Sequence, residues 1–202
     1  IMMKIKTMLF SFVLLLSFKT AMAQEQQLKL NTAESVISYK AKHILHAWEG
    51  INKQVKGILV KDEKSTDINK IAILVLVKDF DSNNSGRDAH ALEVLEALSF
   101  PEVRFYSETI ENEEKTIQLT GTFEFHGVKK EKKIPVAWTE KSDKLILKGN
   151  FELIPTDFGI TLPSFMMVAM EDLLTFDFEY FVLLFLILSD YQKQVLLWLV
   201  LD

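Results

Sequence analysis

Asp79-Phe80-Asp81-Ser82-Asn83-Asn84-Ser85-Gly86-Arg87-Asp88-Ala89-His90 runs through a short apolar-faced segment to Leu98, then into Phe100-Pro101-Glu102-Val103-Arg104-Phe105. The Asn-Asn-Ser-Gly run is a turn signal. Ser85 and Asp88 have the spacing of a capping box, which predicts a helix starting at Ser85. Leu92, Leu95 and Leu98 fall on one side of that helix, with Glu93 and Glu96 away from them. Pro101 ends it, and Val103 and Phe105 restart an extended segment. Everything around this stretch reads as strand, so the helix is expected to close one end of a β-structure, its leucine face resting on the wall.

Working outward, residues 35–43 alternate, with Ile37, Tyr39 and Ala41 opposite Ser38, Lys40 and Lys42. Residues 43–50 interrupt the pattern, and 55–60 resume it around Gly57. Residues 71–77 are apolar on both faces, which predicts an outer cover, and the helix is the expected one. Beyond Phe105 the alternation is clean: Ile117, Leu119, Gly121, Phe123 and Phe125; then Ile134, Val136 and Trp138; then Leu145, Leu147, Gly149, Phe151 and Leu153; last Leu174, Phe176, Phe178 and Tyr180. About eight strands at short spacing with one helix predict an all-β antiparallel barrel or sandwich. Eight closed strands leave an interior that side chains just fill, or that holds one small ligand. Gly121 and Gly149 either remove bulk from that interior or mark bends in the wall.

The 202 residues fit one domain with appendages. Lys4 and Lys6, an apolar run over 8–18 and Ala21-Met22-Ala23 form a secretory signal, which predicts cleavage near Ala23 and a periplasmic or secreted product. Without Lys4, Lys6 and Lys19, 20 basic residues face 28 acidic ones, a net charge of −8 that argues against nucleic acid. The chain has no cysteine, which excludes disulfides, a thiolate zinc site and lipid attachment at a cysteine. The expected division is a signal peptide over 1–23, a barrel over 24–181 and an atypical apolar tail over 182–202. Neither apolar run of that tail reaches the ~20 residues of a membrane span. A non-native end and a membrane-contacting tail both fit it.

Five blocks in order, Lys42-His43, Arg87-Asp88-x-His90, Phe100-Pro101-x-Val103-x-Phe105-x-Ser107, Gly121 with His126-Gly127-Val128-Lys129, and Asp157-Phe158-Gly159-Ile160, resemble the YceI-like family of exported lipid-binding proteins. The resemblance implies an extended lipocalin-like antiparallel barrel with a helix over it, a long isoprenoid or other amphiphilic ligand inside, and homodimers. Many members carry an arginine shortly before the last block, where this chain has Pro155, which puts the head-group preference in question.

The candidate lining is Tyr39, Phe105, Phe123, Phe125, Trp138, Phe151, Phe176 and Phe178, a set that suits either a hydrocarbon chain or a solid core. His43, Trp48, Arg87, Asp88 and His90 are the candidates for the mouth and the ligand's polar end. Asp88 and Arg87 also have structural work available, as a cap and an ion pair. His43 and His46 are three apart, which in an extended chain sends them to opposite faces, so no metal is expected. A His90–Asp88 pair near Ser82 or Ser85 has the makings of a general base and nucleophile, but no Gly-x-Ser-x-Gly elbow accompanies it. The first expectation is therefore a non-enzymatic carrier or sequestering protein for a polyisoprenoid, an isoprenoid quinone or another lipid, with no resident cofactor. The second is a solid-core interaction module acting through its helix or tail. A hydrolase built on His90 is a distant third.

Overall fold

Period-2 alternation folds here into one curled antiparallel sheet. The computed structural model describes residues 25–62, 67–141 and 143–184. The expected signal peptide and most of the expected tail lie outside them.

In chain order the strands are β1 (Glu25–Lys29), β2 (Val36–His43), β3 (His46–Asn52), β4 (Lys56–Asp62), β5 (Ile68–Leu76) and β6 (Phe80–Asp81). After helix α1 (Ser85–Val94) come β7 (Glu102–Asn112), β8 (Thr116–Phe125), β9 (Val128–Lys141) and β10 (Lys144–Leu153). The short hairpin β11 (Ser164–Phe165) and β12 (Val168–Ala169) precedes β13 (Leu174–Leu183). Eleven strands form one sheet in the order β1-β4-β5-β7-β8-β9-β10-β13-β2-β3-β6, and β11 pairs only with β12. The sheet curls far enough for its β1 margin to meet it again at β13, where Leu30, just past β1, bridges Val182. At the other margin β3 pairs with β6, which continues the line of β5.

The strands outnumber the expected eight, since β1, β3, β6 and the β11–β12 hairpin join the eight read from the sequence, and β3 was hidden for a local reason. Residues 43–50 are not an interruption but a hairpin, in which His43 pairs with His46 across a turn at Ile44-Leu45. Two apolar turn residues hide the reversal. The two histidines therefore share a face, with ring centroids 5.8 Å apart, rather than pointing to opposite sides. The barrel also extends past residue 181, since Val182 continues the inward alternation and is fully buried.

The two glycines of the wall are bends and ring seats rather than sources of free volume. At Gly121 a Cβ would lie 2.3 Å from the Tyr106 carbonyl oxygen, where the β7–β8 register shifts in a bulge. The Ser107 hydroxyl is buried at that bulge and donates to the Thr120 carbonyl at 2.7 Å. Over Gly149 lies the ring of its cross-strand partner Phe178, 2.5 Å from where a Cβ would sit.

Turns 43–46 and 126–127, α1 and the 154–173 connection all lie at one end of the barrel, the helix end. The opposite end is solid: Val55, Leu59, Ile68, Ile117, Leu147 and Val182 are at most 2% exposed and stand apart from the cavity described next.

Candidate functional site

Toward the helix end the packing opens into a cavity of about 210 Å³. Its floor is Ile37, Leu119, Val136 and Tyr180, and its walls include Ile71, Ile73 and Val75 from the inward side of β5 and Val77 just after it. Seven of the eight expected lining aromatics, Tyr39, Phe105, Phe123, Phe125, Phe151, Phe176 and Phe178, border it. Trp138 does not; it packs against the core near the solid end, across from Leu147. Sequence alternation gives the inward face but not the depth along the barrel, so it does not separate Trp138 from the other seven. Phe151 and Phe176 stack at 4.9 Å and Phe178 stacks on Tyr180 at 4.6 Å, so much of the wall is ring surface.

Helix α1 lies across the opening. Ala91, Leu92, Val94 and Leu95 face the cavity, yet none of the helix's residues is fully buried. Its packing is on the 3-10 turn Val77–Asp79 and β6, at the end of β5, rather than on the outer face of β5 as the apolar run at 71–77 suggested. Leu98 lies beyond the helix and is 103% exposed, so it contributes nothing to the lid's apolar face.

The cap differs from the expected capping box. Asn84 is the cap: its backbone is extended (φ −148°) and its side chain accepts from the Arg87 N–H at 2.9 Å. Asp88 instead reaches back to buried Ser82, accepting from its N–H at 3.2 Å and from its hydroxyl at 2.5 Å. Ser82 thus moors the helix to the end of β6, a tie that its spacing in the sequence does not announce. Arg87 makes no ion pair with Asp88. Its guanidinium sits 5.5 Å over the Trp48 ring, a cation–π contact, and donates to the Ser82 carbonyl. Burial raises the Tyr39 phenol above its ordinary value, the neighbouring Trp48 indole opposes that, and the nearby Asp88 charge adds to it. Burial alone pushes the Tyr180 phenol well up, so both phenols in the wall are neutral donors at ordinary pH.

Three cations border the cavity: Lys78, Arg87 and Arg104. Lys78 pairs with Asp79, and Arg104 with Glu102 and Glu124. Among the described residues Arg87 has no carboxylate within ion-pair distance; the Asp88 carboxylate, tied to Ser82, borders the same cavity. His90 also borders the opening, but its side chain is 61% exposed and faces Glu93 at 3.5 Å, away from Ser82. The Ser82–His90–Asp88 arrangement that a hydrolase would need is therefore not assembled.

His43 is the mouth candidate that the structure sets elsewhere. It does not border the cavity but is buried under the β11–β12 hairpin, its Nε2–H donating to the Val168 carbonyl at 3.1 Å. Among the described residues no group of three His, Cys, Asp or Glu side chains is placed to hold a metal ion. Pro155 is buried, opens the 3-10 turn Pro155–Phe158 and borders the cavity, so an apolar ring occupies the point where a longer polar side chain would enter the site.

The chain's quoted blocks converge at this end. His126 and Gly127 form the two-residue β8–β9 turn with φ +49° and +73°. Phe100 covers both, its ring 4.6 Å from His126 and 2.7 Å from where a Gly127 Cβ would be. His126 Nδ1–H donates to the Phe158 carbonyl at 3.0 Å, while Nε2 lies 3.3 Å from Glu96, off the hydrogen-bonding direction. Phe158 packs edge-on to Phe123, and Gly159 closes its turn at φ +72°.

A model of the YceI-like domain matches residues 28–180. Protein YceI of Salmonella newport (strain SL254) is 26% identical over 120 residues, 58% of this chain and 63% of that protein. Protein YceI of Salmonella arizonae matches with the same identity and coverage. The match thus spans less than two thirds of the length of these relatives. BcnA of Burkholderia cenocepacia has a similar fold, with a TM-score of 0.68 at 16% identity over 75% of this chain and 98% of that one. So does a polyisoprenoid binding domain from Saccharophagus degradans implicated in plant cell wall breakdown, with a TM-score of 0.63 at 10% identity over 77% and 97%.

Proposed function

Because the chain belongs to the YceI-like family, we propose that it is a non-enzymatic binding protein that takes the hydrocarbon chain of an amphiphile into the barrel and leaves the polar end beside Arg87. The observation that carries this is the helix-covered cavity of about 210 Å³, bordered by aromatic and aliphatic side chains, with one guanidinium outside any ion pair in its wall. Each methylene moved from water into such a site contributes about 0.8 kcal/mol. A few buried carbons of tail therefore outweigh any single polar contact at the mouth.

A polyisoprenoid or an isoprenoid quinone suits the ring-rich wall, and the name of the Saccharophagus domain supports that class. The protein would carry or sequester it outside the cytoplasm, after removal of the segment ending near Ala23. Pro155 removes a second cation from the site, so a head group with a single polar contact suits this chain better than a doubly charged one.

Ala41 is 3% exposed and borders the cavity, so a larger side chain there is expected to take up cavity volume. Ala41→Phe should keep the β-sheet circular dichroism while abolishing uptake of a long-chain isoprenoid quinone, followed by fluorescence quenching. Undiminished uptake in a folded Ala41→Phe protein would refute the cavity as the binding place.

A further inference from the structure

Two hairpin tips beside the cavity mouth expose an apolar surface that the binding function above leaves unexplained. Ile44 and Leu45, at the β2–β3 turn, are 74% and 63% exposed. Phe165, Met166, Met167 and Val168, the whole β11–β12 hairpin tip, are 58%, 73%, 100% and 42% exposed. His43 joins the two tips into one patch. Its Nε2–H holds the Val168 carbonyl, its Nδ1 accepts from the Leu45 N–H at 3.3 Å, and its ring meets Phe165 edge-on at 6.3 Å. Beneath the patch the Glu171 N–H donates to the Lys42 carbonyl at 2.8 Å, so the hairpins are fastened together at their base as well.

The turn chemistry says that these side chains are not there to make the turn. Phe165 pairs with Val168, leaving Met166 and Met167 as a two-residue loop at φ +50° and +66°. That is the type I′ geometry, in which both residues are left-handed and Asn-Gly is the favoured pair. A side chain with a Cβ and a long thioether is disfavoured at either place. The chain accepts that local strain and gains two large apolar side chains at the outermost point of the hairpin.

Charge and position identify what covers them. None of the six tip side chains is charged, and the nearest charges at their base, Lys42 and Glu171, pair with each other at 2.6 Å. The patch is a convex protrusion rather than a groove, so it suits a fluid apolar medium that needs no complementary shape. It is also continuous with the mouth: Leu162, Pro163 and Met170, at the root of the β11–β12 hairpin, border the cavity, as does Trp48 on β3. We infer that the paired tips insert into the surface of a lipid bilayer and set the mouth at the headgroup level, so that a hydrocarbon chain moves between acyl region and cavity without crossing water. This rests on the lipid-holding function proposed above, of which it names the route of loading. Interfacial attachment scales with buried apolar area plus attraction between basic side chains and anionic lipid, and on these uncharged tips only the first operates.

The test uses the full chain, so that its apolar C-terminal segment is common to every protein compared. Flotation with phosphatidylcholine vesicles, at low and high salt, is measured for the wild type and for Phe165→Ser/Met166→Asn/Met167→Gly. The variant places favoured residues in the turn, so its thermal midpoint should match or exceed that of the wild type. The expected result is salt-insensitive binding by the wild type and a loss of about tenfold or more in the variant, the scale set by three large apolar side chains. Uptake of the same quinone offered in dilute dispersion should be equal in both. Equal vesicle binding by both proteins, or no binding by a wild type that takes up quinone, overturns the inference and leaves the cavity function standing. A dimer that forms without lipid, dissolves in the variant and prevents flotation also overturns it, by making a second copy the occupant. Vesicle binding lost in the variant while neither protein takes up quinone overturns the cavity function and leaves the docking tip.

Discussion

Gly127 shows how a residue can mark a family without touching a ligand. Its φ of +73° favours glycine, and Phe100 fills the place of a Cβ at 2.7 Å. Gly127→Ala should cost about 2 kcal/mol in urea unfolding, from left-handed strain and the displaced ring, while quinone uptake by the remaining folded protein is unchanged. The same logic covers Ser107 at the β7 bulge and Phe158 under His126. The sequence blocks quoted for the resemblance are mostly joints of the helix end, legible as a pattern because joints tolerate few alternatives. Arg87 is the exception: half-buried, over Trp48 and without an ion-pair partner among the described residues. Arg87→Gln should leave the thermal midpoint nearly unchanged and weaken binding of an anionic-headed chain about tenfold or more, the loss of one charged hydrogen bond. Titration calorimetry against an uncharged analogue, whose affinity should change little, reads that difference. Its partners on Trp48 and Ser82 were not legible in the sequence, because they come from β3 and the end of β6.

At the scale of elements, α1 is a lid held by a few polar ties: the Asn84 cap and the Ser82–Asp88 bonds. With no fully buried residue of its own, it gives up little packing when it opens. Removing the cap by Asn84→Ala costs the helix about 1 kcal/mol. Stopped-flow release of bound quinone should then accelerate roughly fivefold while the global midpoint barely moves. An unchanged release rate would mean that the ligand leaves by another path. That a helix stands here was readable from the Asn-Asn-Ser-Gly turn and Pro101. Which residue caps it was not, because Asn84 and Ser85 both suit the position and only the backbone angle distinguishes them. The hairpins at 43–46 and 165–168 are hidden in the sequence for the opposite reason. Their turns are Ile-Leu and Met-Met, and such residues read as strand interior or irregular chain rather than as reversals.

Over the whole molecule, strict alternation made the antiparallel curled sheet legible, because one face is dry and a one-residue slip would turn every strand inside out. Its closures were not, since Leu30 meeting Val182 and β3 meeting β6 are pairings between distant segments that leave no local trace. Nor was the division of the interior legible. The same apolar face is solid near Leu59 and Leu147 and hollow near Ile37 and Tyr180, a difference set by ring placement and by the helix standing over one end. That hollow end carries the central claim, that the barrel holds a hydrocarbon chain. Native mass spectrometry of protein purified from its own host without detergent, followed by organic extraction, measures it most directly. An adduct of a single long-chain amphiphile, recovered in the extract and missing from Ala41→Phe, is the expected result. Wild-type protein that is empty in every preparation, and stays empty when incubated with extracted host lipid, would contradict it.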